Sequence, residues 1–201
     1  DPAFWNKGLS MIEGFIDGLN SRRPALFNIY AVCQPEHGVA DDASELQSKL
    51  AVESRAYPLF RFDPDAGETL QDCTTLEGNP SIDTDWPTYT LEYTDEKGKT
   101  ASMKVPMTFA DFALTEGRFR KSFRKAPPET WNDNMVQLHD FIDMTMDDRE
   151  GMFPYIWAVD SKNRLMRVLV AEELVKSTEE RRRFWHQLKS LTGVDQVVDL
   201  D

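Results

Sequence analysis

The sequence predicts an α/β chain: a partial parallel sheet with crossover helices in its first part, then an α+β region with two β-hairpins and a C-terminal helix. Three observations carry that prediction. Up to about residue 64, stretches with apolar residues at helical spacing alternate with compact apolar runs of strand length. Beyond residue 71 the chain turns polar and then offers two pairs of β-rich runs separated by short turns. The closing stretch returns to helical spacing. The expected division is therefore 1–70 and 71–201.

Element by element, Trp5, Leu9, Ile12, Phe15, Ile16 and Leu19 recur at helical spacing, and Pro24 ends the pattern. The run 25–32 has the length and continuous apolar character of a strand buried on both faces. Asp42, followed three residues later by Glu45, reads as an N-cap with its capping-box acid, opening a helix to about Ser54. Residues 56–62, "AYPLFRF", read as the next strand, turned by "DPDAG". Helix, strand, helix, strand in this order suggests part of a parallel sheet whose first strand lies outside the chain. Residues 71–87 read as a surface loop. The runs 88–94 and 100–105 flank "DEKG" and form the first hairpin, 88–105. Phe109, Phe112, Ala113, Phe119 and Phe123 suggest a helix with a weak point at Gly117, broken by Pro127 and Pro128. A helix over 135–144 follows. "PYIWAVD" and "RLMRVLV" across "SKN" make the second hairpin, 154–170. The last helix runs over 172–191, with Gly193 as its stop.

Composition narrows the function classes. Hydrophobic residues make up 40% of the chain, with five Trp and twelve Phe, which supports a folded core. A net charge of −12 argues against nucleic acid as the main partner, because its phosphates would be repelled. No apolar run approaches the roughly 20 residues that span a bilayer, so no membrane role is expected. The start, "DPAFWNKG", has neither a basic nor an apolar signal region. It also lacks an initiator Met, and the chain is read as a processed or excised piece. Two cysteines, Cys33 and Cys73, are too few for a disulfide scaffold, and the expected compartment is the reducing cytoplasm.

Candidate chemistry centres on "CQPEHG". Cys33 and His37 would serve a metal from one helix face, but Pro35 and Gly38 argue against a helix there. As a thiolate–imidazole pair they lack a third orienting group, and Glu36 and Asp41 make the loop acidic, which works against a thiolate. A passive thiol at the end of a strand is the reading residue type favours. His139 and His186 fall on amphipathic stretches as structural histidines, and Cys73 lies in a polar loop. Asp147 and Asp148 read as solvated loop positions. No phosphate-binding glycine motif is present. "EGRFRKSFRKAPPE" concentrates Arg118, Arg120, Lys121, Arg124 and Lys125; a solvated face is the favoured reading, and an anionic cofactor or acidic partner the other.

One resemblance goes further. "RPALFNIYAVCQPEHGVADD…LQSKLAVESRAYPLFRFDP" resembles the end of the thiamine-diphosphate domain of pyruvate:ferredoxin and related 2-oxoacid oxidoreductases. The matching positions are Cys33, His37, Gly38, residues 51–54 and 57–64. Farther on, "EGNPSID" and "TFADFALTEGRFRKSFRKAPPE" are similar to that family's Asn-Pro stretch and its E-x-R-[FY] segment leading into Pro-Glu. The similarity covers roughly residues 1–130, with the hairpin 88–105 as an insertion. It implies an incomplete thiamine-diphosphate-binding fold and a C-terminal fragment of an enzyme that decarboxylates a 2-oxoacid oxidatively. The implied cofactors are thiamine diphosphate and [4Fe–4S] clusters, held by the parent and not by the isolated chain. Cys33 is implied as the fourth ligand of one cluster, with three residues before His37 where the family has two. The cluster's other three cysteines and the thiamine-binding GDG…N motif are not in this chain. The implied partners are the remainder of the parent oxidoreductase and ferredoxin or a similar electron acceptor; coenzyme A and a second copy of the chain are further candidates. The competing expectation is a non-catalytic, acidic protein-interaction or assembly module that retains the fold.

Overall fold

The computed structural model describes residues 2–194, with side chains from residue 11 onward. Helix α1 (Pro2–Asn20) is followed by an irregular stretch to Cys33 and a single helical turn, α2 (Gln34–His37). Helix α3 (Ser44–Glu53) leads to two short strands, β1 (Arg61–Phe62) and β2 (Thr74–Thr75), paired antiparallel. Strands β3 (Thr88–Thr94) and β4 (Thr100–Pro106) form the expected first hairpin. Helix α4 (Phe109–Leu114) passes into a 3-10 helix, Gly117–Ser122, and then into β5 (Phe123–Ala126). Strand β6 (Met135–Gln137), the short helix α5 (Leu138–Phe141) and strands β7 (Phe153–Val159) and β8 (Leu165–Val170) precede α6 (Glu172–Thr192). A mixed four-stranded sheet runs in the order β5-β8-β7-β6, antiparallel except for β6 against β7.

Three helices cover one face of that sheet. Ile156, Val168 and Val170 alternate inward along β7 and β8, as a half-buried sheet requires. They meet Phe109, Phe112 and Ala113 of α4, Leu138 of α5, and Leu174 and Val175 of α6 in one apolar cluster. Ala51 of α3 joins the same cluster. Farther along α6, Trp185 and Leu188 pack on Leu76 in a second cluster. The α6 sequence explains its ends. Glu172 and Glu173 complement the positive N-terminus, and Gly193, at φ 74°, supplies the left-handed residue that closes the last turn.

Five expectations need correcting. Residues 25–32 form no ladder among the described residues, so the expected parallel pairing with 56–62 is absent. The physical reason is that a strand needs backbone partners, and residues 25–32 touch the 56–62 segment only through side chains, Tyr57 with Asn28 and Tyr30. Of 56–62 only Arg61 and Phe62 are strand, and their partner is antiparallel. The helix expected through Phe123 stops at Leu114, because Gly117 is drawn against Gly38 and 123–126 pair with β8 instead. The helix expected over 135–144 is divided: β7 recruits 135–137 as a strand, and only residues 138–141 stay helical. Helix α3 begins after Ala43, one residue later than the Asp42 cap predicted, and without its side-chain bond. No described helix is long and apolar enough to cross a membrane.

Candidate functional site

The turn "CQPEHG" does form a helical turn, contrary to the expectation from Pro35 and Gly38. Proline costs nothing at the start of a helix, where its missing N–H would have no partner. Gly38, at φ 66°, ends the turn in the left-handed region that glycine tolerates. Cys33 is therefore the residue that opens the turn, and its carbonyl accepts from the His37 amide at 2.8 Å. The two side chains do not cooperate. Cys33 is exposed, whereas the His37 side chain is only 12% exposed and stacks on Tyr30 with ring centroids 6.0 Å apart. A thiolate–imidazole pair is not what this geometry builds. No group of three or more His, Cys, Asp or Glu that could hold a metal occurs among the described residues.

What the turn meets is a buried carboxylate. Glu116, whose side chain is fully shielded from solvent, follows α4 directly. Its Oε1 accepts from Gln47 Nε2 at 3.1 Å and, more weakly, from the Tyr30 hydroxyl at 3.4 Å. His37 Nδ1 lies 3.5 Å from the same oxygen, without hydrogen-bond geometry. Oε2 accepts from Arg118 Nε at 2.5 Å. Gln47 uses the other end of its amide as well, accepting from Thr115 Oγ1 at 3.0 Å. Burial and the adjacent Glu116 carboxylate together push the Tyr30 phenol up to about 12. Beside this hub the backbones touch: the Gly117 amide donates to the Gly38 carbonyl at 3.3 Å, and a Cβ on Gly38 would sit 2.9 Å from Gly117 Cα. Glycine is required at 38, and a Cβ on Gly117 would crowd the Gly38 carbonyl oxygen at 3.1 Å.

A second junction lies around Arg55, fully buried and at φ 57°. Its guanidinium donates to the carbonyls of Pro80, Ser81 and Asp85 at 2.8–3.1 Å and stacks 3.8 Å from the Trp185 ring. Burial pulls it down to about 10, with Asp85 and Glu53 opposing. Asn79 completes this junction. Its side chain donates to the Leu59 and Leu76 carbonyls, both at 2.7 Å, and accepts from the Leu59 amide at 2.9 Å.

The remaining candidates fall into structural places. Cys73 is buried, its thiol donating to the Gly67 carbonyl at 3.4 Å. His186 bonds Asp85 at 2.5 Å, and His139 neighbours Asp140 at 3.4 Å. Asp148 accepts from the Thr145 hydroxyl within its own loop. Arg118 to Lys125 stay outside, while Phe119 and Phe123 pack on the core. Gln47 was not singled out from sequence, and Glu116 entered only as the first residue of the E-x-R-[FY] segment; a carboxylate preceding a run of five cations reads as surface, and only the fold shows it buried. No family model, curated protein or solved structure matches the chain.

The first part of the chain leaves much apolar surface in water. Of the 17 exposed large hydrophobic side chains among the described residues, eleven lie between residues 11 and 70. Leu26 is 93% exposed and Leu19 79%. Helix α1 turns Ile12, Ile16 and Leu19, three members of its apolar stripe, outward. Scattered apolar residues are normal on a surface, but here they concentrate in one part of the chain.

Proposed function

We propose that the chain is the C-terminal part of the thiamine-diphosphate unit of a 2-oxoacid:ferredoxin oxidoreductase of the pyruvate type, and that it is inactive by itself. One observation carries the reading. Sequence blocks that resemble that family in separate stretches pack on one another here. The Cys33–Gly38 turn meets the Glu116–Arg118 segment, and the block containing Arg55 meets the one containing Asn79. Accidental similarity in scattered stretches gives no reason for such contacts. The exposed apolar surface of residues 11–70 supports the same reading, because the remainder of the parent would cover it. There, residues 25–32 would be a strand of the thiamine-diphosphate-binding fold, with their backbone groups paired by neighbours.

The fit of this chain to the parent's cofactors is partial. A [4Fe–4S] cluster takes four thiolates, and the exposed Cys33 suits one corner, with three to come from elsewhere. The thiamine-binding GDG…N motif is not in this sequence. When bound in the parent, the thiamine stabilises the carbanion of decarboxylation and the clusters carry electrons away. The role of this chain's own residues is positional: Glu116 holds Arg118 and lies 3.5 Å from His37, beside the turn that Cys33 opens. A cytoplasmic enzyme passing electrons to ferredoxin, with coenzyme A as a candidate co-substrate and a homodimer as a candidate assembly, belongs to the same proposal.

The test is iron content. In the full-length oxidoreductase, Cys33→Ala should lower iron per chain and visible cluster absorbance; an unchanged iron content rejects the ligand role. The apolar surface also favours a second reading, a non-catalytic assembly module. A full-length sequence without further cluster cysteines and without a GDG…N motif would select it.

A further inference from the structure

We propose that the cleft between α6 and the loop after α5 binds a small molecule carrying a phosphate group. The sequence sets up one wall. Glu179, Arg182, Arg183 and His186 stand at i, i+3, i+4 and i+7 and therefore share one face of α6. Ile142 and Arg149 form the other wall, and the six residues line a cleft of about 380 Å³. Small-molecule sites run from roughly 300 to 1,000 Å³, so this one suits a compact ligand. In a chain where 35 Asp and Glu outnumber 23 Lys and Arg, the lining reverses the balance. Three guanidiniums and an imidazole face one carboxylate.

The walls are fixed by contacts of their own. Arg149 and Arg182 both donate to the Ile142 carbonyl, at 2.9 and 3.0 Å. Arg149 also donates to the Met144 carbonyl at 3.2 Å, pairs with Glu179 at 2.7 Å and lies 5.0 Å from the Phe141 ring. Leu174, Val175, Trp185 and Leu188 hold α6 to the two apolar clusters. The other cations are open to a ligand. Arg183 is exposed and makes no ion pair or hydrogen bond among the described residues. Arg182 uses its two terminal nitrogens on Ile142 and on the Asp143 carboxylate, and its Nε has no partner among the described residues. Asp143 is largely in water, so its hold on Arg182 is weak and exchangeable. His186 is exposed and keeps Asp85 as its partner.

Charge selects the ligand. A guanidinium fork matches carboxylate and phosphate oxygens alike. A single carboxylate brings one negative charge, which Glu179 in the same cleft offsets. A phosphate monoester brings about −1.5 to −2 at neutral pH and three acceptor oxygens, enough to engage Arg182 and Arg183 together. A phosphate polymer is disfavoured, because the net charge of −12 repels its length. Arginine–carboxylate pairs also tie a helix to a loop for purely structural reasons. Arg183 separates the two roles, since it takes no part in the tie. The proposal stands apart from the oxidoreductase reading, and its test needs neither cluster nor thiamine.

The probe is glycerol 3-phosphate, titrated into the chain in a low-salt buffer and followed by phosphorus NMR. Saturable binding that weakens about tenfold in R183E is the expected result. R183Q should weaken it as well, and serves if R183E folds poorly. E179Q removes the carboxylate from the lining and should tighten binding about threefold. K97Q/K99Q, two exposed lysines of the first hairpin turn, should leave affinity within about twofold. No saturable binding by the wild type, or equal binding by the Arg183 variants, overturns the proposal. Succinate that binds more tightly than glycerol 3-phosphate and depends on Arg183 also overturns it, in favour of a dicarboxylate.

Discussion

Replacing Glu116 by Ala removes the acceptor at the centre of the contact between the CxxxHG turn and the segment after α4. The buried donor Gln47 Nε2 and the half-buried Tyr30 hydroxyl then lose their partner. An unsatisfied buried polar group costs about 1–3 kcal/mol, but the Tyr30 bond is long, so the pair together should cost about 3 kcal/mol. Arg118 adds little, because its side chain is 40% exposed and water replaces the lost carboxylate. With a urea m-value near 2 kcal/mol per M, the midpoint should fall by about 1.5 M. The Tyr30 phenol provides a local reading. Relieved of the neighbouring charge, it should titrate below its value of about 12, measured by ultraviolet difference spectra. Glu116→Gln keeps an acceptor for Gln47 and Tyr30 but turns an amide toward Arg118, and should cost about half as much. A stability change of Glu116→Ala below about 0.5 kcal/mol with Tyr30 unmoved would refute the buried hub.

Other perturbations address other parts of the fold. Arg55→Lys keeps the charge but cannot reach three carbonyls and stack on Trp185 at once, so it should destabilise by about 3 kcal/mol in urea melts. Burial pushes the Asp111 carboxyl up to about 6, against hydrogen bonds from Thr108 and Tyr89 that hold it down. Its folded value thus lies above the unfolded 3.8, so the folded state binds the extra proton. Stability should fall as pH rises from about 4 to 6 by at most about 3 kcal/mol, then level off; Asp111→Asn should flatten that slope, and an unchanged slope would assign it elsewhere. Leu26→Asp should leave the isolated chain's stability within about 0.5 kcal/mol, whereas Leu138→Ala, in the core, should cost about 3 kcal/mol. A large loss from Leu26→Asp would mean that the apolar face is already covered.

Periodicity was a good guide wherever local pattern and tertiary contact agree. Both hairpins and α6 form where alternation and helical spacing predict them, and Gly193 stops α6 as expected. It was a poor guide where a distant partner decides. Residues 135–137 carry a helical pattern but are taken by β7, and 25–32 carry a strand pattern without finding a sheet. The site divides in the same way. Cys33, His37 and Gly38 were visible as a motif, and Gly117 as a break in a helical run. The burial of Glu116 and Gln47 was not, because a polar residue destined for burial looks like a surface residue until its donors are known. Arg55 sat within a recognisable block, yet its partners lie 25 residues and more downstream.

The most direct test of the central claim is an anaerobic assay of the full-length protein. The account predicts reduction of methyl viologen that depends on pyruvate or another 2-oxoacid and on thiamine diphosphate, with none from residues 1–201 alone. Full-length protein saturated with thiamine diphosphate that reduces no dye with pyruvate or any of a panel of 2-oxoacids would contradict it.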